Sequence, residues 1–196
     1  MFDLKLCSHP GCTEFAVTAR DTCYSHCSDS AELLADLVRK LSSSEYIGSY
    51  CLTDARFEDL SFTNAKLYAC KFSNSTFINV DFSHSYIQMS FFEFSTFTGC
   101  RFNEITSKYS VFAGSRFSDC DFSGSDILHS NLSGIIAEDV TFDDSDLYYT
   151  NFCRAKLINS NFRDCNLKKT DFYGTERDNV SFKYSNFEEA TFTREL

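Results

Sequence analysis

From Leu52 to Phe192 a large apolar residue recurs at every fifth position without a slip in frame, beginning Leu52, Phe57, Phe62, Leu67, Phe72 and ending Phe182, Phe187, Phe192. Only Ser107, Ala137 and Arg177 depart from Phe, Leu or Ile in this series. Two residues earlier in the unit stands a small or modest side chain, as at Ala55, Ala65, Cys70, Ser75, Ser85, Ser115, Ser125, Ala155 and Cys165. A period of five fits neither the roughly 3.6 residues of a helix nor the roughly 2 of a plain strand, so a turn must intervene in every unit. The pattern predicts a coil with four flat sides of five residues, the large and the small residue pointing inward and the other three facing solvent. Twenty residues then close one coil, and about seven coils stacked at roughly 4.8 Å make a rod on the order of 35 Å long.

Grouping the series by twenties predicts the interior columns. Phe62, Phe82, Phe102, Phe122, Phe142, Phe162 and Phe182 form one made of Phe alone, where rings should stack. Ala137 and Arg177 share a column with Phe57, Phe77, Phe97, Phe117 and Leu157, so that side is predicted to be irregular towards its end. An inward Arg is costly, and the coil is expected to distort so that Arg177 reaches solvent.

Segments such as Ser125-Asp126-Ile127, Ser130-Asn131-Leu132, Ser145-Asp146-Leu147, Cys165-Asn166-Leu167 and Ser185-Asn186-Phe187 carry a family resemblance. They resemble the pentapeptide-repeat family, whose units read small, Asp or Asn, Leu or Phe, then two polar residues. The resemblance implies an all-β solenoid, a right-handed quadrilateral β-helix, over residues 47–196. Dimeric members of that family join through their C-terminal ends, which implies a possible homodimer through the last coils.

The first 27 residues read differently. Cys7-Ser-His-Pro-Gly-Cys12, ten residues, then Cys23-Tyr-Ser-His26-Cys27 sets paired thiols and a His at spacings that suit tetrahedral Zn²⁺. Cys7, Cys12, Cys23 and His26 are the preferred ligands, with Cys27 as an alternative to His26 and His9 a weaker candidate. The stretch resembles small Cys-Cys-Cys-His zinc fingers of bacterial proteins. Some twenty residues cannot bury enough surface to fold unaided, whereas a metal can supply the folding free energy; with all four positions taken by protein, the zinc is expected to be structural. Residues 28–46 follow as a helix and linker, with Leu33, Leu34, Leu37, Val38 and Leu41 on one face. Solenoids need their open ends covered, so this helix is predicted to cap the first coil.

Charge narrows the partners. A formal net charge of −10 argues against direct nucleic-acid binding. No long apolar run or secretory leader is visible, so the chain is expected to be cytoplasmic and away from membranes. Ten cysteines in a reducing compartment point to metal binding and core thiols rather than disulfides. Cys100 and Cys120 occupy inward positions, Cys51 and Cys153 outward ones.

A rod filled with Phe and Leu offers no pocket with converging groups, so no catalytic residue is predicted and the chain is expected not to be an enzyme. The outward residues differ by side. One corner gathers Glu58, Asp59, Asp119, Glu138, Asp139 and Asp178 with almost no positive charge. The opposite corner carries Tyr68, Met89, Tyr109, Tyr148 and Tyr149, with Tyr86 and Phe91 beside it. Aromatic and Met side chains of this kind favour protein interfaces. The expected function is a non-enzymatic protein-binding scaffold or adaptor with a structural zinc site, its partner unnamed by the sequence. The alternative comes from a resemblance to quinolone-resistance members of the family, acidic rods that mimic DNA and regulate gyrase or topoisomerase; the absence of a long insertion and the zinc-like leader depart from that pattern.

Overall fold

The computed structural model describes residues 4–43 and 46–193. The predicted segment boundaries at residues 1, 46–47 and 196 touch residues 1–3, 44–45 and 194–196, which lie outside the described residues.

The five-residue frame becomes a stack of parallel ladders in which residue i pairs with residue i+20. Three-residue strands Tyr46–Gly48, Lys66–Tyr68, Tyr86–Gln88, Thr106–Lys108 and Asp126–Leu128 form one sheet. Arg56–Glu58, Thr76–Ile78, Thr96–Thr98, Arg116–Ser118, Ile136–Glu138, Lys156–Ile158 and Glu176–Asp178 form the second. Two further ladders are series of single bridges, Cys51↔Lys71↔Phe91↔Val111 and Ser61↔Asp81↔Arg101↔Asp121 among them. The result is an all-β solenoid of about seven coils.

Each unit turns because its last residue adopts a left-handed backbone: from Ser49 to Tyr184 every fifth residue has a positive φ. That conformation costs a residue with a Cβ about 1 kcal/mol, and Asn, Asp and Gly tolerate it best.

The inward positions make one continuous core. The Phe column runs as expected: Phe82 and Phe102 stack at 4.7 Å, Phe102 and Phe122 at 4.3 Å, Phe142 and Phe162 at 4.8 Å. The first step differs, Phe62 meeting Phe82 edge to face at 81°. In the small positions buried hydroxyls and thiols bond to the coil before. The Ser85 hydroxyl donates to the Phe62 carbonyl at 2.7 Å and Ser125 to Phe102 at 2.7 Å. Cys100 and Cys120 do the same towards Phe77 and Phe97, at 3.5 and 3.6 Å. Burial pushes the Cys70 thiol up to about 11 and Cys165 to about 12. These two thiols are therefore expected to resist iodoacetamide at pH 8 in the native protein and to react fully in denaturant; native-state labelling at either would contradict their enclosure.

Two units break the pattern by exchanging their inward residues. Ile105 stands in a small position and Ser107 in a large one, and Ile135 and Ala137 repeat the exchange; all four are buried. Volume is roughly conserved within each unit, so the predicted irregularity at Ala137 does not arise: Ile136–Glu138 stays paired on both sides. Arg177 also stays in register, opposite Leu157. Instead of distorting, the coil leaves Arg177 exposed because no described coil covers it, with its guanidinium 4.8 Å over the Phe192 ring.

At the other end α1 (Ser30–Ser42) lays Leu33, Leu37 and Leu41 onto the first coil. The N-terminal module joins it: Val17 enters the core, Thr18 N–H donates to the Cys51 carbonyl at 3.0 Å, and Cys51 N–H donates to the Thr18 hydroxyl at 2.7 Å. Cys51 is thus buried, contrary to its outward position in the repeat, because the module covers it.

Candidate metal centre and interaction ridges

The N-terminal module is a knuckle closed by backbone hydrogen bonds. Cys7 N–H donates to the Glu14 carbonyl at 2.9 Å and Cys12 N–H to the His9 carbonyl at 3.1 Å; a 3-10 turn, Tyr24–His26, follows Cys23. These turns bring one donor atom from each of Cys7, Cys12, Cys23 and His26 within 4.8 Å of one another. Cys12 and Cys23 sulfurs lie 3.8 Å apart, Cys7 sulfur is 3.6 Å from His26 Nδ1, and Cys23 sulfur 3.2 Å from it. A tetrahedral zinc with Zn–S near 2.3 Å sets its sulfurs about 3.8 Å apart, the spacing of the Cys12 and Cys23 sulfurs. Burial works against a thiolate at Cys23, yet its thiol is held below the usual range by the Ser25 hydroxyl and the His26 N–H.

The alternative ligand stands apart. The Cys27 thiol donates to Asp29 Oδ1 at 2.9 Å, and this bond first, then burial, keeps it protonated. Asp29 also accepts from Arg20 at 3.1 Å, which ties the knuckle to the start of α1. His9 lies flat on the His26 ring at 3.9 Å and supports it from outside the donor set. Beside the knuckle, Tyr24, Leu34, Val38 and Leu60 line a mostly apolar groove of about 730 Å³, with Arg56 at its edge. Nothing in the sequence pattern pointed to this groove, because it joins three separate segments.

The aromatic residues fall on one ridge along the rod. Tyr86, Met89, Tyr109 and Tyr149 are exposed, and Tyr68, Phe91 and Tyr148 half-buried. They do not form a uniform stripe. Tyr68 pairs with Tyr46 at 5.7 Å near the N-terminal end. Tyr109 stacks on His129 at 5.2 Å, His129 on Tyr149 at 5.2 Å, and Lys169 Nζ sits 5.0 Å over Tyr149 and 5.9 Å from Tyr148. His129 and Lys169 are missed by a search for aromatic and Met residues. The signal that finds them is the column of left-handed positions itself, which reads Ser49, Ala69, Met89, Tyr109, His129, Tyr149, Lys169.

The acidic residues lie along the opposite turn in separated groups. Glu58 and Asp59 sit on the first coil, where Arg56 bonds Glu58 at 2.9 Å and Asn79 donates to Asp59 at 2.9 Å. Ile78, Thr98 and Gly99 then intervene before Asp119, Glu138 and Asp139, and Ile158 and Asn159 before Asp178. Among the described residues no helix is long and apolar enough to cross a membrane.

The chain is similar to the fold of QnrB1, a plasmid-mediated fluoroquinolone resistance protein, at 21% identity over 72% of this chain and 77% of that one, with a TM-score of 0.34. It is similar to HetL, a pentapeptide repeat protein involved in heterocyst differentiation regulation from the cyanobacterium Nostoc, at 12% identity over 80% and 95% with a TM-score of 0.41. A pentapeptide repeat protein from the cyanobacterium Cyanothece matches at 11% identity over 81% and 99% with a TM-score of 0.38. No curated protein matches the chain. Residues 115–192 match the family described as a pentapeptide repeat region. From this matched stretch the same frame and twenty-residue ladders run back without interruption to Leu52.

Proposed function

We propose that this chain is a non-enzymatic protein-binding scaffold, a right-handed four-sided rod that presents the Tyr109–His129–Tyr149 ridge to a partner and is closed at its N-terminal end by a structural zinc knuckle. The observation that carries the reading is the residue choice at the left-handed turns. The turn column on the acidic side is Asp59, Asn79, Gly99, Asp119, Asp139, Asn159, Asn179, the residues that backbone tolerates best. The aromatic column uses none of them from Ser49 to Lys169. Holding Tyr, His and Lys there costs conformational energy that Asn would avoid, and outliers of this kind collect where a surface is used. Four-sidedness is supported by the four ladders set five residues apart, and the right hand by the strong preference of parallel crossover connections. Zinc is supported by the spacing of the four donors, and a structural role by their number, since four protein ligands fill a tetrahedral ion and leave no open position.

The test separates use from stability. Tyr109→Asn with Tyr149→Asn relieves two left-handed bulky residues and gives up their stacking on His129, effects of about 1 kcal/mol each and opposite in sign. The variant is expected to melt within a few degrees of the wild type while losing the proteins captured by the wild-type chain in parallel affinity purifications. Recovery of the same partners by both chains would remove the ridge from the function.

A further inference from the structure

The ridge differs from the rest of this acidic protein in charge as well as in shape. From Tyr68 to Lys169 two of its three outward columns contain Lys108, His129, Lys168 and Lys169 and no carboxylate, the third adding Asp126 and Asp146, whereas the matching two columns of the opposite turn hold six carboxylates and no base between Glu58 and Asn179. Lys108 makes no ion pair among the described residues, and Lys169 spends its ammonium on the faces of Tyr148 and Tyr149. Lys168 has only a 3.4 Å pair with the exposed Glu189. Lys108 is therefore available to an incoming group, and Lys168 becomes so by giving up its pair with Glu189.

We infer that the ridge from Tyr109 to Lys169 docks an acidic, extended segment of a protein partner, an inference that rests on the scaffold reading above. Charge complementarity selects the acidic class. Spacing selects an extended one: Lys108 and Lys168 are three coils apart, about 14 Å along the rod, and two carboxylates four residues apart in an extended chain are separated by about 13 Å. Between these two anchors an aromatic or aliphatic side chain meets the open faces of Tyr109 and Tyr149, where stacking and burial add to the ion pairs.

The inference is tested on the full chain, uniformly ¹⁵N-labelled, with three capped probe peptides of identical length: Glu-Ser-Phe-Ser-Glu and its counterparts with Gln or Lys at both ends. The acidic peptide is expected to shift the amide resonances of Tyr109, His129 and Lys169 and to bind at least tenfold more tightly than the Gln peptide. The Lys peptide is expected not to bind. Lys108→Glu with Lys168→Glu should cost the acidic peptide at least tenfold in affinity while leaving the rod's remaining resonances in place. Equal binding of the Glu and Gln peptides, abolished in Tyr109→Asn/Tyr149→Asn, would overturn the acidic assignment and leave the ridge as a partner surface. No shift with any peptide overturns the inference, and the affinity purifications then decide the ridge by themselves. Concentration-dependent shifts at both Tyr109 and Asp119 without peptide would overturn it in favour of a second copy of this chain as the occupant.

Discussion

Purified protein is expected to carry one zinc ion per chain, and Cys12→Ser to carry none. Structural zinc supplies an apparent 10–16 kcal/mol to small Cys/His modules at about pH 7, more than a segment of this size gains from its own burial, so the variant's first 27 residues should not fold. The consequence is local. Val17 and Thr18 link the module to the first coil, and Asp29 links it to α1 through Arg20 and Cys27. Amide hydrogen exchange should accelerate over 4–41 and around Cys51, while the coils beyond Phe102 keep their protection, because each coil contacts mainly its neighbours. The Cys51 thiol, enclosed in the wild type, should become reactive towards iodoacetamide. Full retention of N-terminal protection in Cys12→Ser, or metal-free wild-type protein that is equally protected, would sink the metal reading. His26→Cys offers a gentler check: it keeps four donors and should retain zinc.

The second large effect concerns the exchanged units. Ile105→Ser alone leaves two small side chains in one five-residue unit, and deletion of a buried Ile side chain costs about 2–5 kcal/mol. Ser107→Ile alone puts two large ones there, and overpacking costs about 1–3 kcal/mol. The double variant restores the order of the neighbouring coils. The introduced serine can donate to the Phe82 carbonyl as Ser85 and Ser125 do to theirs, and the introduced isoleucine continues the Ile87 and Ile127 column. It also removes the Ser107 hydroxyl, which is buried without a hydrogen-bond partner. The double variant is therefore expected to be at least as stable as the wild type in urea titrations, with the two single costs failing to add. Additive losses would show that the two positions do not share one volume.

The rod was legible because its signal repeats. A fivefold spacing of Phe and Leu sustained through the chain leaves one geometry open, and each interior column could be written down from residue numbers. The grouping of Cys7, Cys12, Cys23 and His26 was legible for a different reason: four donors at short spacing need little chain to bring them together. What the sequence hid lies where elements from separate segments meet. Cys51 occupies an outward repeat position and is covered by a module some thirty residues earlier; the groove at Tyr24, Leu34 and Leu60 arises from three segments. Arg177 looked forced to distort the coil, but no described coil covers it, and there it stays in register and exposed. Ile105 and Ile135 look unremarkable one at a time, and their meaning appears only when each is set against the residue two places on. His129 and Lys169 escaped because residue type was consulted before backbone position.

The unbroken pairing of i with i+20 limits how a gene for this protein can change in length. Loss or gain of one codon anywhere between Leu52 and Phe172 would turn every later Phe out of the interior, and even a five-codon change would shift each later residue onto the neighbouring ladder. Only removal or duplication of whole sets of twenty leaves all ladders and both ridges continuous, so natural length variants should differ in multiples of twenty residues.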